Sequence, residues 1–383
     1  MIYFDNAATT LPKPEGVIHA VSEAMATFGG VGRGVHEAAL QAGMAVYGAR
    51  NKIAKLFNAP SARTVVFSAN ATSALNIAIF GLLQPGDHVI TTAASHNSVL
   101  RPLYLAGKQG NALSILPVAR NGSINYNEFD ALFTPATRMA VVTHASNLTG
   151  DVYNIARMAE ICHSHNALIV VDAAQTAGVF PIDVRKMGID VLVFTGHKSL
   201  FGPQGTGGMV VAEGVEIRPM FVGGSGTHSF DKNHPAFMPE RLEAGTLNAH
   251  GIAGLRAGIE YLVNNGIAEI NERVQEITDR FEEGVKRIDG IKVYGGHADI
   301  ARCGIVALNF EGQDSGLISD ILNTDFGICT RPGAHCAPLM HEALETAESG
   351  LVRFSFSHLN ALHEVDLAIE ALEQIAARLK AAK

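Results

Sequence analysis

Asp172 and Lys198 each stand at the end of a short apolar run, Ala167-Leu-Ile-Val-Val-Asp172 and Val191-Leu-Val-Phe-Thr195-Gly-His-Lys198. Such runs read as strands buried on both faces of a parallel sheet. Ligands bind outside the carboxyl ends of these strands, so a carboxylate and an amine placed there face one crevice. An Asp that pairs with a protonated pyridine nitrogen and a Lys that condenses with an aldehyde suit pyridoxal 5'-phosphate (PLP). Gly196 and Gly202 argue against a surface helix at Lys198, and Phe194 and Phe201 bring apolar surface beside its amine. Two plainer readings stay open at this point: Asp172 as a helix cap, and Lys198 as a lysine without special duty.

Arg331-Pro-Gly-Ala-His-Cys336-Ala-Pro338 is the second chemically suggestive stretch. A cysteine beside a histidine, in a turn enforced by Pro and Gly, is a candidate thiolate nucleophile. Cys162, within a helical pattern, and Cys303 and Cys329, at strand edges, read instead as inert core. The four cysteines have no close pairing that suggests a disulfide framework, and no Cys-x-x-Cys or His-Glu-x-x-His pattern suggests a metal. No metal site is expected.

Thr195-Gly-His-Lys-Ser-Leu-Phe-Gly-Pro-Gln-Gly205 resembles the PLP-lysine segment of class V aminotransferase-fold enzymes, and 331–337 resembles the Arg-x-Gly-His-His-Cys-Ala of SufS-like cysteine desulfurases and selenocysteine lyases. The resemblance runs from Tyr3 to about Asp366. It implies an α/β PLP-dependent transferase of fold type I, a mainly parallel seven-stranded-type sheet with a smaller α+β domain.

The same resemblance assigns roles. Lys198 carries PLP and moves protons, Asp172 holds the pyridine nitrogen, His96 stacks on the ring, and Gln175 and Asn147 steady its ring oxygen. Ala71 (through its N–H), Thr72, Thr195, His197 and, across a dimer, Thr246 complete the cofactor set. Arg353 clamps the substrate carboxylate, with Asn147, Ala8, His36 and Arg331 also near the substrate, and Cys336 takes the sulfur. Three departures stand out: Ala71 in place of a threonine, Ser95 in place of the acid before His96, and Ala334 in place of the first histidine before the cysteine.

Composition bounds the function. The 383 residues are 47% hydrophobic and 17% charged, with a formal net charge of −8. That balance fits a compact enzyme and argues against a nucleic-acid partner, which needs clustered Lys and Arg. No apolar run is long enough to span a membrane and the N-terminus has no export-signal pattern, so a cytoplasmic location is expected.

The elements that must position these residues alternate strand and helix. Strands are expected at 2–4, 64–68, 88–92, 113–116, 139–143, 168–172, 191–195 and 209–212, with helices at 35–58, 74–83 and 155–165. Residues 221–250, rich in Gly, His and Pro, read as a long ordered loop. Ile267, Ile270, Val274, Ile277, Phe281, Val285 and Ile288 mark a long amphipathic helix, with Glu282–Lys286 and Glu283–Arg287 as pairs on its wet face. Further strands at 306–310 and 352–356 and a closing helix from Val365 to Leu379 give a second unit. The expected division is a large domain, 15–260, and a small one, 1–14 plus 261–383.

The reading is a PLP enzyme converting L-cysteine to L-alanine with sulfur passed to Cys336. Selenocysteine lyase is the rival, with L-selenocysteine as substrate; an aminotransferase or β-lyase is another, and a non-enzymatic sulfur carrier a third. A homodimer with shared sites and a possible sulfur-acceptor protein are the expected partners.

Overall fold

The computed structural model describes residues 1–32, 34–296 and 301–381. Arg33, of the glycine-rich loop 29–34, lies outside the described residues. A seven-stranded sheet dominates, ordered Val65–Ser68, Gly207–Val211, Val191–Thr195, Leu168–Asp172, Thr137–Thr143, His88–Thr92, Ala112–Leu116. Gly207–Val211 runs antiparallel to both neighbours, and the other pairings are parallel. The run Leu168–Asp172 is apolar throughout because both of its faces are covered. Ile169 and Val171 join one buried cluster and Val170 the other.

Helices start where side chains can satisfy free N–H groups. Asn70 Oδ1 accepts the Ser73 N–H at 2.9 Å, opening the helix Ala71–Leu82 three residues earlier than the apolar pattern alone suggests. Asn154 caps Ile155–Ser164 and Asn248 caps Ala249–Asn265 in the same way. Ala249–Asn265 packs on the helices Glu15–Thr27 and Glu37–Leu56, along one side of the large sheet.

A three-stranded antiparallel sheet, Val352–Ser355, Ile305–Phe310, Ile291–Tyr294, forms the second layer system. The helices Ile267–Val285 and Leu362–Ala381 bury Phe281, Val285, Leu372 and Ile375 against it. The expected wet-face pair Glu283–Arg287 is exposed, at 3.9 Å. Glu282 is not on the wet face: it is buried, because it pairs with the buried Arg302 as well as with Lys286. The N-terminal strand Ile2–Tyr3 pairs in parallel with Ile328–Cys329. Apart from a short 3-10 turn at Glu240–Leu242, residues 221–248 form the long loop expected. No helix among the described residues is long and apolar enough to cross a membrane.

Candidate active site

Five strand ends converge. The segments following Ser68, Thr92, Thr143, Asp172 and Thr195 carry Asn70–Thr72, His96, Asn147, Gln175 and Lys198 to one cavity of about 230 Å³. The second sheet and its loops bring Arg331, His335 and Arg353, and the N-terminal arm brings Ala7 and Ala8. Parallel strands place these carboxyl ends on one edge of the sheet, outside which the ligand crevice of an open α/β sheet lies.

The Lys198 loop is closed tightly. Phe201 N–H donates to the Lys198 carbonyl at 2.8 Å and Gly202 N–H to the Gly196 carbonyl at 2.8 Å. A Cβ on Gly196 would sit 2.1 Å from Thr206 Oγ1, and one on Gly202 2.9 Å from a Leu255 methyl, so both positions require glycine for close packing. Desolvation pulls the Lys198 amine down to about 8, opposed by Asp172. The Asp172 carboxyl is pushed up by its own burial, opposed by the Ala174 N–H at 3.0 Å on Oδ1 and by Lys198. An amine that gives up its proton near neutrality and a carboxylate in need of a cationic partner are chemically matched to each other and to a pyridinium ring.

His96 caps the helix Asn97–Lys108, its Nδ1 accepting the Ser98 N–H at 3.0 Å. Burial, then Lys198, Arg331, Arg353 and Arg101, lower its pKa to about 4. Ser95, which stands in place of an acid, is buried on Thr91 Oγ1 at 3.0 Å, so the orientation of His96 comes from Ser98 instead. Ala71 and Thr72 occupy the first turn of their helix, where N–H groups have no intrahelical partner and the dipole end is positive. Gln175 Nε2 donates to the Ala7 carbonyl at 3.4 Å. Asn147 Nδ2 donates to the His335 carbonyl at 2.6 Å.

Five polar atoms of lining residues are buried without a partner: Asn147 Oδ1, Thr195 Oγ1, His197 Nδ1, His335 Nδ1 and Arg353 Nε. Such orphans call for a polar ligand. Together with the helix N-terminus and the Asp172–Lys198 pair, they fit a phosphorylated pyridine aldehyde.

The family model described as aminotransferase class-V matches residues 2–367.

The chain belongs to the class-V aminotransferase family. The chain is 34% identical to a probable cysteine desulfurase of Methanothermobacter thermautotrophicus, over 98% of this chain and 94% of that protein. It is 32% identical to the cysteine desulfurase CsdA of Escherichia coli, over 97% and 93%. The apo structure of a cysteine desulfurase from Thermococcus onnurineus NA1 superposes with a TM-score of 0.90 at 30% identity, covering 98% of this chain and 94% of that one. The α/β architecture with its mostly parallel sheet is that of class-V aminotransferase structures.

Most of the residues that the family resemblance singles out line the cavity; three do not. His36 is exposed at the start of the helix Glu37–Leu56. Thr246 is exposed on a separate groove with Arg50, Tyr47 and Glu243, so a single chain does not bring it to the class-V site. The Cys336 side chain is half-buried and not part of the lining, whereas His335 beside it is. His335 and Cys336 both have left-handed backbone, φ 50° and 56°, a strained pair of the kind found at functional turns. Cys303 is buried and its thiol is pushed up to about 12 by burial, and Cys162 is likewise buried and shifted up, so both are inert core. Cys329 departs from that expectation, being only half-buried, because its strand is a two-residue edge strand.

Sequence reasoning missed Asp5, which pairs with Arg353, and Ser98, which holds His96. Ser98 had a readable signal, a hydroxyl two residues past a histidine at a helix start. Asp5 had none, since its partner lies at the other end of the chain.

Proposed function

We propose that the chain is a PLP-dependent cysteine desulfurase, converting L-cysteine to L-alanine while Cys336 becomes a persulfide. The observation that carries this reading is the single cavity lined by Lys198, Asp172 and Arg353, with the His335–Cys336 turn at its edge. Lys198, Asp172, Asn147, Gln175, His96, Thr195, His197 and the N–H groups of Ala71 and Thr72 would hold the cofactor, which supplies an electron sink for charge developing at the substrate Cα. Arg353, with Arg331 beside it, binds the substrate carboxylate; its planar fork suits bidentate pairing. The amine of Lys198, with its lowered pKa, takes a proton from the substrate Cα and can return one to Cβ. Cys336 Sγ bonds to the substrate sulfur as the Cβ–S bond breaks. Thiol plus cysteine thus gives persulfide plus alanine, with no other oxidant or reductant.

A homodimer with shared sites belongs to the same reading. Leu40, Met44 and Tyr47 lie along one exposed stripe of the helix Glu37–Leu56, and Tyr47 also lines the groove that carries Thr246. An apolar stripe beside a predicted cofactor contact suits a second copy of the chain. The proposed division into a large domain, 15–260, and a small one, 1–14 plus 261–383, places the site at their junction. A cytoplasmic location, where a thiol stays reduced, and transfer of the sulfur to an acceptor protein complete the proposal.

Selenocysteine cleavage is the second reading, favoured by the absence of the Cys336 side chain from the cavity lining. A selenol is the better leaving group and needs less help from a thiolate. The test is alanine release from cysteine and from selenocysteine by the wild type and by Cys336→Ala. Loss of about 10²-fold or more with cysteine alone supports the desulfurase. Equal rates with cysteine would remove Cys336 as nucleophile and favour a β-lyase or aminotransferase.

A further inference from the structure

Three side chains, Thr72, Ser98 and His96, form a hydrogen-bonded row from the helix N-terminus at Ala71–Thr72 to the His96 imidazole. Thr72 Oγ1 lies 2.7 Å from Ser98 Oγ, and Ser98 Oγ lies 2.9 Å from His96 Nδ1. The Ser98 backbone N–H also donates to Nδ1, at 3.0 Å. All three side chains line the same cavity.

Proton bookkeeping along this chain is restrictive. Nδ1 faces a backbone N–H, which can only donate, so Nδ1 must be the lone-pair nitrogen and the ring proton sits on Nε2. The cationic groups around His96, namely Lys198, Arg331, Arg353 and Arg101, oppose a second ring proton, as does burial. The Ser98 hydroxyl has one proton and two acceptors in reach, His96 Nδ1 and Thr72 Oγ1. While that proton points at Nδ1, the Thr72 proton points at Ser98. If Thr72 turns its proton to an anion at the helix N-terminus, the Ser98 proton can turn to Thr72, leaving Nδ1 with the backbone N–H alone.

We propose that Ser98 is a positioning residue that fixes His96 as a neutral Nε2–H donor and links it, by reversal of one hydroxyl proton, to anion occupancy at Thr72. Its second half rests on the placement of the cofactor phosphate at Ala71–Thr72. His96 then acts in the site by donating from Nε2, and Nδ1 is closed to proton transfer. Ser98 supplies the orientation that Ser95, buried on Thr91, does not.

The experiment uses full-length protein labelled with ¹⁵N-histidine and freed of cofactor, with the His96 resonances assigned by His96→Gln. At pH 7 the wild type is expected to carry its His96 proton on Nε2 only; a proton on Nδ1, or on both nitrogens, would overturn the positioning role whatever the protein's reaction. Inorganic phosphate is then the probe. It should shift the His96 Nδ1 resonance in the wild type and in Ser98→Thr, which keeps the hydroxyl, and not in Ser98→Ala. A shift that persists in Ser98→Ala overturns the relay, and no shift in any of the three overturns the relay together with the phosphate placement. PLP affinity, followed by absorbance, should fall about fivefold in Ser98→Ala, the effect of one neutral hydrogen bond, and return in Ser98→Thr.

Discussion

Arg353 donates from Nη2 to Asp5 Oδ1 at 3.0 Å, joining the first residues of the chain to a strand near its end. Arg353 is 1% exposed, and its Nη1 donates to the Asn147 carbonyl at 2.9 Å. Its Nε has no partner, so one edge of the fork still offers a donor to an incoming carboxylate. Burial lowers the guanidinium pKa and Asp5 opposes that shift. Asp5→Ala should destabilise the protein by about 2–3 kcal/mol, because a buried charge is left without its carboxylate. Urea denaturation with wild type and variant measures this, and an unchanged midpoint would show that Asp5 is not needed to keep Arg353 in place.

Arg353→Lys tests the fork itself. A point charge cannot reproduce bidentate pairing or hold both Asp5 and Asn147. The kcat/KM for cysteine should drop by about 10²-fold, the scale of a misplaced substrate. Cysteamine, which has no carboxylate, should be affected far less; equal losses with both compounds would assign Arg353 to the fold alone.

Lys198 is, among the described residues, the one lysine lining the cavity. Borohydride reduction of PLP-loaded protein followed by peptide mapping should place the label on Lys198. A label elsewhere would overturn the assignment of the site.

Five histidines share one pH signature. His96, His144, His197 and His358 are lowered from 6.5 to about 4, and His335 to about 3, in each case chiefly by burial. Between those values and 6.5 the unfolded chain binds protons that the folded protein refuses. Stability is therefore fully present above about pH 6.5 and falls as pH drops toward 4. Thermal midpoints of cofactor-free protein across this window should show the slope, and His358→Gln should flatten it. An unchanged slope in that variant would mean that His358 is already protonated in the folded state.

A shared site predicts complementation. Mixed dimers of Lys198→Ala and Thr246→Trp should recover part of the activity that each variant lacks alone. Sedimentation as a monomer at working concentrations would end that proposal.

Much of this was legible in the sequence because strand ends are local features. Asp172 ends, and Lys198 follows, an apolar run that reads as a buried strand, and parallel pairing places the carboxyl ends of such strands on one edge. The amphipathic repeat of Ile270, Val274, Ile277 and Phe281 likewise determined its helix and buried face. Capping moved the start of the helix at Ala71, since the Asn70 side chain replaces the apolar periodicity as the starting signal.

Tertiary structure decided what depends on partners distant in sequence. Glu282 has the spacing of a surface ion pair, but Arg302 draws it into the interior. Asp5 meets Arg353 because the N-terminal arm lies against the strand Val352–Ser355, with its Ala7 N–H on Ser355 Oγ at 2.9 Å. Ser98 became part of the site when the strand ends at Ser68 and Thr92 brought Thr72 within 2.7 Å of its hydroxyl. Residue type and local spacing determine which groups a strand or helix can present. Only chain packing determines which of those groups meet, because a hydrogen bond or ion pair depends on separation in space and not along the chain.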